Sequence, residues 1–115
     1  MAEKNRYEVI VTKPARDRFQ NEILSYISNS FSDRRALDVE NNLKKLLLTL
    51  QVDPQRGSIE KLIRIGDQIF RFILLKETKF FEIKIIYLIE ESQKVVQVTD
   101  FFPTKMNPIK MQSRS

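Results

Sequence analysis

The sequence predicts an α+β domain: an N-terminal strand, an antiparallel helical hairpin, then a three- to four-stranded antiparallel meander. Three observations carry this. Between residues 15 and 50, apolar residues recur at steps of three and four, the spacing of one helical face. From residue 69 onward the pattern changes to short runs rich in Ile, Val and Phe, split by polar turns. The chain has 115 residues, 42% of them apolar, enough for a single core and a single domain over residues 1–115.

The elements follow in order. Tyr7 to Thr12 reads YEVIVT, a short β-branched strand stopped by Pro14. Pro14 suits the first turn of a helix, where its missing N–H is not needed. The first helical stripe is Ala15, Phe19, Ile23, Leu24, Ile27 and Phe31, of which Phe19, Ile23 and Ile27 are expected to be ordinary core. Ser32 or Asp33 can cap a second helix, with stripe Ala36, Val39, Leu43, Leu46, Leu47 and Leu50. The short connection makes the two helices antiparallel. Residues Asp53 to Ser58 form a loop by their Pro and Gly. Leu62 to Ile65 reads as a short strand or the start of a longer one, with Gly66-Asp67 as a turn or bulge. Three strands are then expected: Ile69–Leu75, Phe80–Ile89 and Lys94–Phe102, joined by turns Lys76–Lys79 and Glu90–Gln93. The tail, polar from Asn107, is expected to be loose from about residue 109.

Composition removes whole classes of chemistry. There is no Cys and no His, so disulfides, zinc–thiolate sites, Ser-His-Asp triads and Cys-His dyads are excluded. Carboxylates, Lys, Arg, Tyr and hydroxyls remain, and no cofactor is implied. Net charge is +5, which attracts anionic partners such as nucleic acid or acidic protein. Residues 1–6 are polar and no run approaches the roughly 20 apolar residues of a membrane span, so no membrane is expected and the cytoplasm is the expected compartment.

Counting out four-residue turns predicts a register. Arg71 would face Lys84, Lys84 would face Thr99, and Glu82 would stand on the next row. Phe72, Leu74, Phe81, Ile83, Ile85, Tyr87, Val96 and Val98 would form the helix-packed core on the other face. Two cations directly opposite repel. A phosphate between them would relieve this, as would Glu82 reaching diagonally. A slip of one residue would dissolve the row.

The chain resembles the RelE/ParE toxin superfamily (type II toxin–antitoxin, plasmid stabilisation-like). The closing run VTDFFPTKMNPIK, Val98 to Lys110, resembles the family's last strand, which ends in an aromatic or aliphatic pair before a Thr-Arg-Gln-Asn-Pro-like segment. The run EIKIIY, Glu82 to Tyr87, resembles its Tyr-Arg/Lys-Ile-Ile-Tyr strand. In layout the resemblance covers roughly residues 7–110. It implies a cognate antitoxin as partner and growth inhibition as activity. Ribonuclease members cut messenger RNA on the ribosome without a metal; by position Arg71 corresponds to a family basic residue on the second strand, Lys84 to a strand Arg that contacts the scissile phosphate, and Lys105 lies near the closing basic residue. Glu82 is the only carboxylate on the proposed face available as a base. Lys84 and Lys105 stand where Arg is more usual, and Lys lacks the bidentate fork. Tyr87 is assigned to the core by its parity. ParE-type members share the fold and poison DNA gyrase instead. A degenerate member that only binds a partner, and a generic small RNA-binding domain, are further readings. Oligomeric state is not encoded legibly.

Overall fold

Two hydroxyl side chains open the helical half. In the computed structural model, which describes residues 6–78 and 81–114, the Thr12 hydroxyl accepts from the Ala15 N–H at 3.3 Å. Ser32 accepts from the Arg35 N–H at 3.0 Å. Each satisfies a donor that a first helical turn leaves free. The first arm runs continuously through α1 (Lys13–Arg18), a π-helical segment (Phe19–Leu24) and α2 (Ser25–Ser30). Ala15, Phe19, Ile23 and Ile27 fall at every fourth residue and are all buried. A strict step of four drifts around a helix of about 3.6 residues per turn, and the wider π turn reduces that drift. The second arm, α3 (Asp33–Val52), buries Val39, Leu43 and Leu50.

Both arms cover one face of a five-stranded sheet, order β1-β5-β4-β3-β2. The strands are β1 (Glu8–Val11), β2 (Ser58–Ile59), β3 (Phe70–Thr78), β4 (Phe81–Glu90) and β5 (Val95–Pro103). β1 lies parallel to β5, and the other pairs are antiparallel. The expected strand at Leu62–Ile65 is instead a turn closed by an Ile65–Gln68 bridge, and β2 forms earlier. The expected Lys76–Lys79 turn gives way to a longer β3, with a register shift between Lys76 and Thr78. Lys79 and Phe80, placed in that turn and at the head of the next strand, lie outside the described residues.

The register differs from the predicted one. Arg71 pairs with Tyr87, three residues further along β4 than Lys84, and Lys84 pairs with Leu74 and Phe102. An odd shift exchanges faces. Ile73 and Leu75 therefore join the helix-side core in place of Phe72 and Leu74, while Ile83, Ile85, Tyr87, Val96 and Val98 lie there as expected. A bulge at Thr99 corrects β5: Val98 pairs with Tyr87 but Asp100 with Ile86. The extra residue keeps Phe101 in the helix-side core and turns Asp100 to the opposite face.

That opposite face is not bare. Ile86, Leu88, Phe70 and Phe102 pack there against Ile63 and Met111. Met111 belongs to α4 (Lys110–Arg114), so the tail expected to be loose is docked. The cause is a long-range clasp invisible to local composition. The Arg114 guanidinium donates to both oxygens of Asp100 at 2.9 Å and pairs with Glu22 at 3.0 Å. Arg18 pairs with Asp100 at 3.3 Å and donates to the Arg114 carbonyl. Burial works against the charge on Arg114, yet Asp100 and Glu22 outweigh it and hold the guanidinium pKa above its ordinary value. Asp100 itself is fully buried.

Behind the helix-side core, the Tyr87 hydroxyl donates to the Pro54 carbonyl at 2.6 Å and accepts from the Gly57 N–H at 3.1 Å. This pins the 3₁₀ turn Pro54–Arg56 to the sheet. A Cβ at Gly57 would stand 2.3 Å from that hydroxyl and 2.7 Å from the Phe72 carbonyl. Burial pushes the Tyr87 phenol above its ordinary value of 10.0, outweighing the Gly57 N–H and nearby Arg71 and Arg56, which pull it down.

Three outcomes are expected in urea unfolding. Tyr87→Phe strands a buried N–H and should cost about 1–3 kcal/mol. The fold favours the neutral phenol, so this contribution is complete below pH about 10 and is lost as pH rises through the raised native pKa. Between neutral pH and pH about 11 the parent should therefore lose more stability than Tyr87→Phe. Asp100→Ala leaves Arg18 and Arg114 facing each other and should cost about 3 kcal/mol.

Candidate functional site

The sheet register decides which charged side chains can cooperate. Lys84, in the middle of β4, lies on the face opposite the helices, flanked across the ladder by Leu74 and Phe102. Its ammonium sits 4.3 Å from the centroid of the Phe72 ring and 2.6 Å from Glu60 Oε1. Glu60 follows β2 directly, and its N–H donates to the Phe70 carbonyl, which extends the β2–β3 ladder by one residue. That placement aims the carboxylate across β3 at Lys84. The second Glu60 oxygen accepts from the Leu62 N–H at 3.3 Å. Side-chain exposure is 22% for Lys84 and 5% for Glu60, so the pair is recessed in the face rather than free on it.

The predicted row of Arg71, Lys84 and Thr99 is not built. Arg71 projects to the helix side, beside Tyr87, and donates to the Gly57 carbonyl at 3.0 Å. It also lines a shallow cleft of about 380 Å³ shared with Gln55, Asp67, Gln68 and Glu90. Thr99 is the bulged residue, and its hydroxyl reaches the Ile86 carbonyl at 3.5 Å. Glu82 pairs in register with Lys76, whose ammonium is 3.8 Å away, and lies one step along β4 from the Lys84 row. Lys105 is exposed on the turn after β5. Of the four residues singled out, only Lys84 sits within a constellation of charged and aromatic groups on the open face. The repulsion between Arg71 and Lys84 that motivated a phosphate between them does not exist, because the sheet separates them.

Sequence reasoning missed Glu60. It lies 24 residues from Lys84, beyond any local pattern, and its strand is only two residues long. It also missed the Asp100 clasp, though a lone carboxylate inside the apolar run VTDFF is a legible oddity. Among the described residues no three acidic side chains converge as metal ligands. No helix among them is long and apolar enough to cross a membrane.

No family model matches the chain, and no curated protein matches it. Solved structures do. An Escherichia coli toxin RelE mutant in the free state superposes with a TM-score of 0.57 over 93% of both chains at 15% identity. RelE from an archaeal RelE-RelB complex, from Pyrococcus horikoshii OT3, gives a TM-score of 0.53 at 16% identity, over 89% of this chain and 99% of that one.

The fold is RelE-like. The superposition takes in 93% of a chain built of an N-terminal strand, helical arms and a mostly antiparallel sheet. At this identity the likeness fixes the RelE-like architecture and leaves side-chain roles to the chemistry of this chain.

If the Glu60–Lys84 pair is as tightly coupled as its geometry implies, a double-mutant cycle will register it. Glu60→Gln and Lys84→Met should each cost about 1–3 kcal/mol in chemical unfolding, and the double variant clearly less than their sum.

Proposed function

We propose that this chain is the toxin half of a toxin–antitoxin pair, acting in the cytoplasm on translation. The observation that carries this reading is the superposition over nearly the full length of both chains with a RelE toxin. A positive chain, net +5, agrees with an anionic target and with an acidic antitoxin segment as the neutralising partner. One of these structural neighbours is itself solved in complex with RelB.

The expected output is metal-independent cleavage of ribosome-bound message. Such cleavage needs a base for the 2′-hydroxyl and positive charge at the phosphate. Glu60 and Lys84 supply that combination on the open sheet face. An arriving phosphate competes with Glu60 for the ammonium, which frees the carboxylate to accept the 2′-hydroxyl proton, while the Lys84 ammonium gives a proton to the leaving 5′-oxygen as the P–O5′ bond breaks. Lys105 and Arg71 are less suited: the first is exposed on a turn, the second faces the helices. A second reading, a gyrase-directed toxin that works by binding alone, is favoured by the neutralisation of Lys84 in the resting protein.

Induced expression of the chain in bacteria separates these outcomes. The first reading expects growth arrest with ribosome-dependent cleavage of message, lost in soluble, folded Glu60→Gln. Arrest with intact message and damaged DNA transfers the activity to gyrase. Undisturbed growth with abundant soluble protein contradicts the toxin reading.

A further inference from the structure

Away from the sheet face, the tip of the helical hairpin carries a chain of aromatic rings. Tyr26 of α2 stacks on Phe81 at the head of β4, with centroids 5.6 Å apart and ring planes 13° from parallel. Phe31, at the end of α2, meets Tyr26 edge-on at 6.4 Å and 83°. The Arg35 guanidinium caps the Phe31 ring at 5.9 Å. Phe31 is 61% exposed and Tyr26 48% exposed. Tyr26 covers Phe81, which packs against the core, but Phe31 lies beyond it with most of its ring in water. Rings that served only the core would lie beneath the arms, as Phe19 and Phe101 do at 5.0 Å from each other. Instead two large rings stand in water, ordered by each other.

We propose that this tip is a stacking platform for single-stranded RNA. The site lies outside the Glu60–Lys84 face and needs nothing from it. Three features select the occupant. First, ring faces held at fixed angles are what an unstacked base requires, and every base offers a π-face to them. Second, cations accompany the rings. Arg34 is exposed beside Arg35, and both can reach a sugar–phosphate backbone running past Phe31. Asp33 accepts from the Ser28 hydroxyl, and Asp38 and Glu77 line a shallow hollow with Arg35. Third, the patch is small. Two aromatic side chains offer roughly 150–250 Å² each, well short of the about 1,200 Å² of a stable protein interface. One stacked base fits that area. RNA is the strand that presents unstacked bases in loops and ends.

Fluorescence anisotropy with a labelled single-stranded oligoadenylate, at low salt, tests this on the full chain. The parent should bind. Phe31→Ala and Tyr26→Ala should each weaken binding about tenfold, with thermal unfolding of Phe31→Ala close to that of the parent. Phe31→Trp should keep the affinity. Phe31→Leu, apolar but without a π-face, should lose it as Ala does. Parent-like binding by both alanine variants, or no binding by the parent, overturns the proposal. So does a parental dimer in light scattering that Phe31→Ala dissociates, since the patch would then be a self-association surface. Because the readout is binding in solution, its failure leaves the growth-arrest result standing on its own.

Discussion

β4 is apolar on both faces, and both halves of the molecule rest on that constraint. Ile83, Ile85 and Tyr87 face the helical arms, while Ile86 and Leu88 face the turn after β2 and the C-terminal segment. A strand buried on both sides must have cover on both sides. The arms provide one layer. The other is provided by Ile63, Met111 and neighbours, held down by Arg114 on Asp100. Lys84 is the one charged residue in the middle of this strand, and Glu60 and the Phe72 ring make its position tolerable.

The same constraint explains what could be read from the sequence and what could not. Helical periodicity and hydroxyl caps are local signals, so the arms, the Ser32 cap and the stripes were legible, save that Phe31, placed at the end of the first stripe, stands exposed past the end of its helix. The strands were legible as runs, because β-branched and aromatic residues cluster there. Their register was not. On a strand with one polar face, parity is written in the alternation of residues. Phe70 to Leu75 and Ile83 to Ile89 are apolar on nearly every residue, so either parity satisfies the pattern. Turn length then decides, and the bulges at Glu77 and Thr99 change the count. The clasp that docks the tail joins residues 14 and 92 positions apart, which no window along the chain can see.

The functional consequence is a separation of charges. Arg71 and Lys84 belong to opposite sides of one sheet, so positive charge is not concentrated at one point. Arg71 serves the Gly57 turn, Lys84 serves Glu60, and Arg18 and Arg114 serve Asp100. The cations left most available are exposed ones, among them Arg34 at the hairpin tip and Lys105 after β5. On the function proposed above, RNA would be met through an extended surface, with the recessed Glu60–Lys84 pair as the proposed chemical centre.

Cross-strand nuclear Overhauser contacts in the labelled protein test the register most directly. The account expects backbone contacts linking Arg71 to Tyr87 and Leu74 to Lys84, with Val98 opposite Tyr87 and Asp100 opposite Ile86. Contacts linking Arg71 to Lys84, and Lys84 to Thr99, would restore a single cationic row and contradict it.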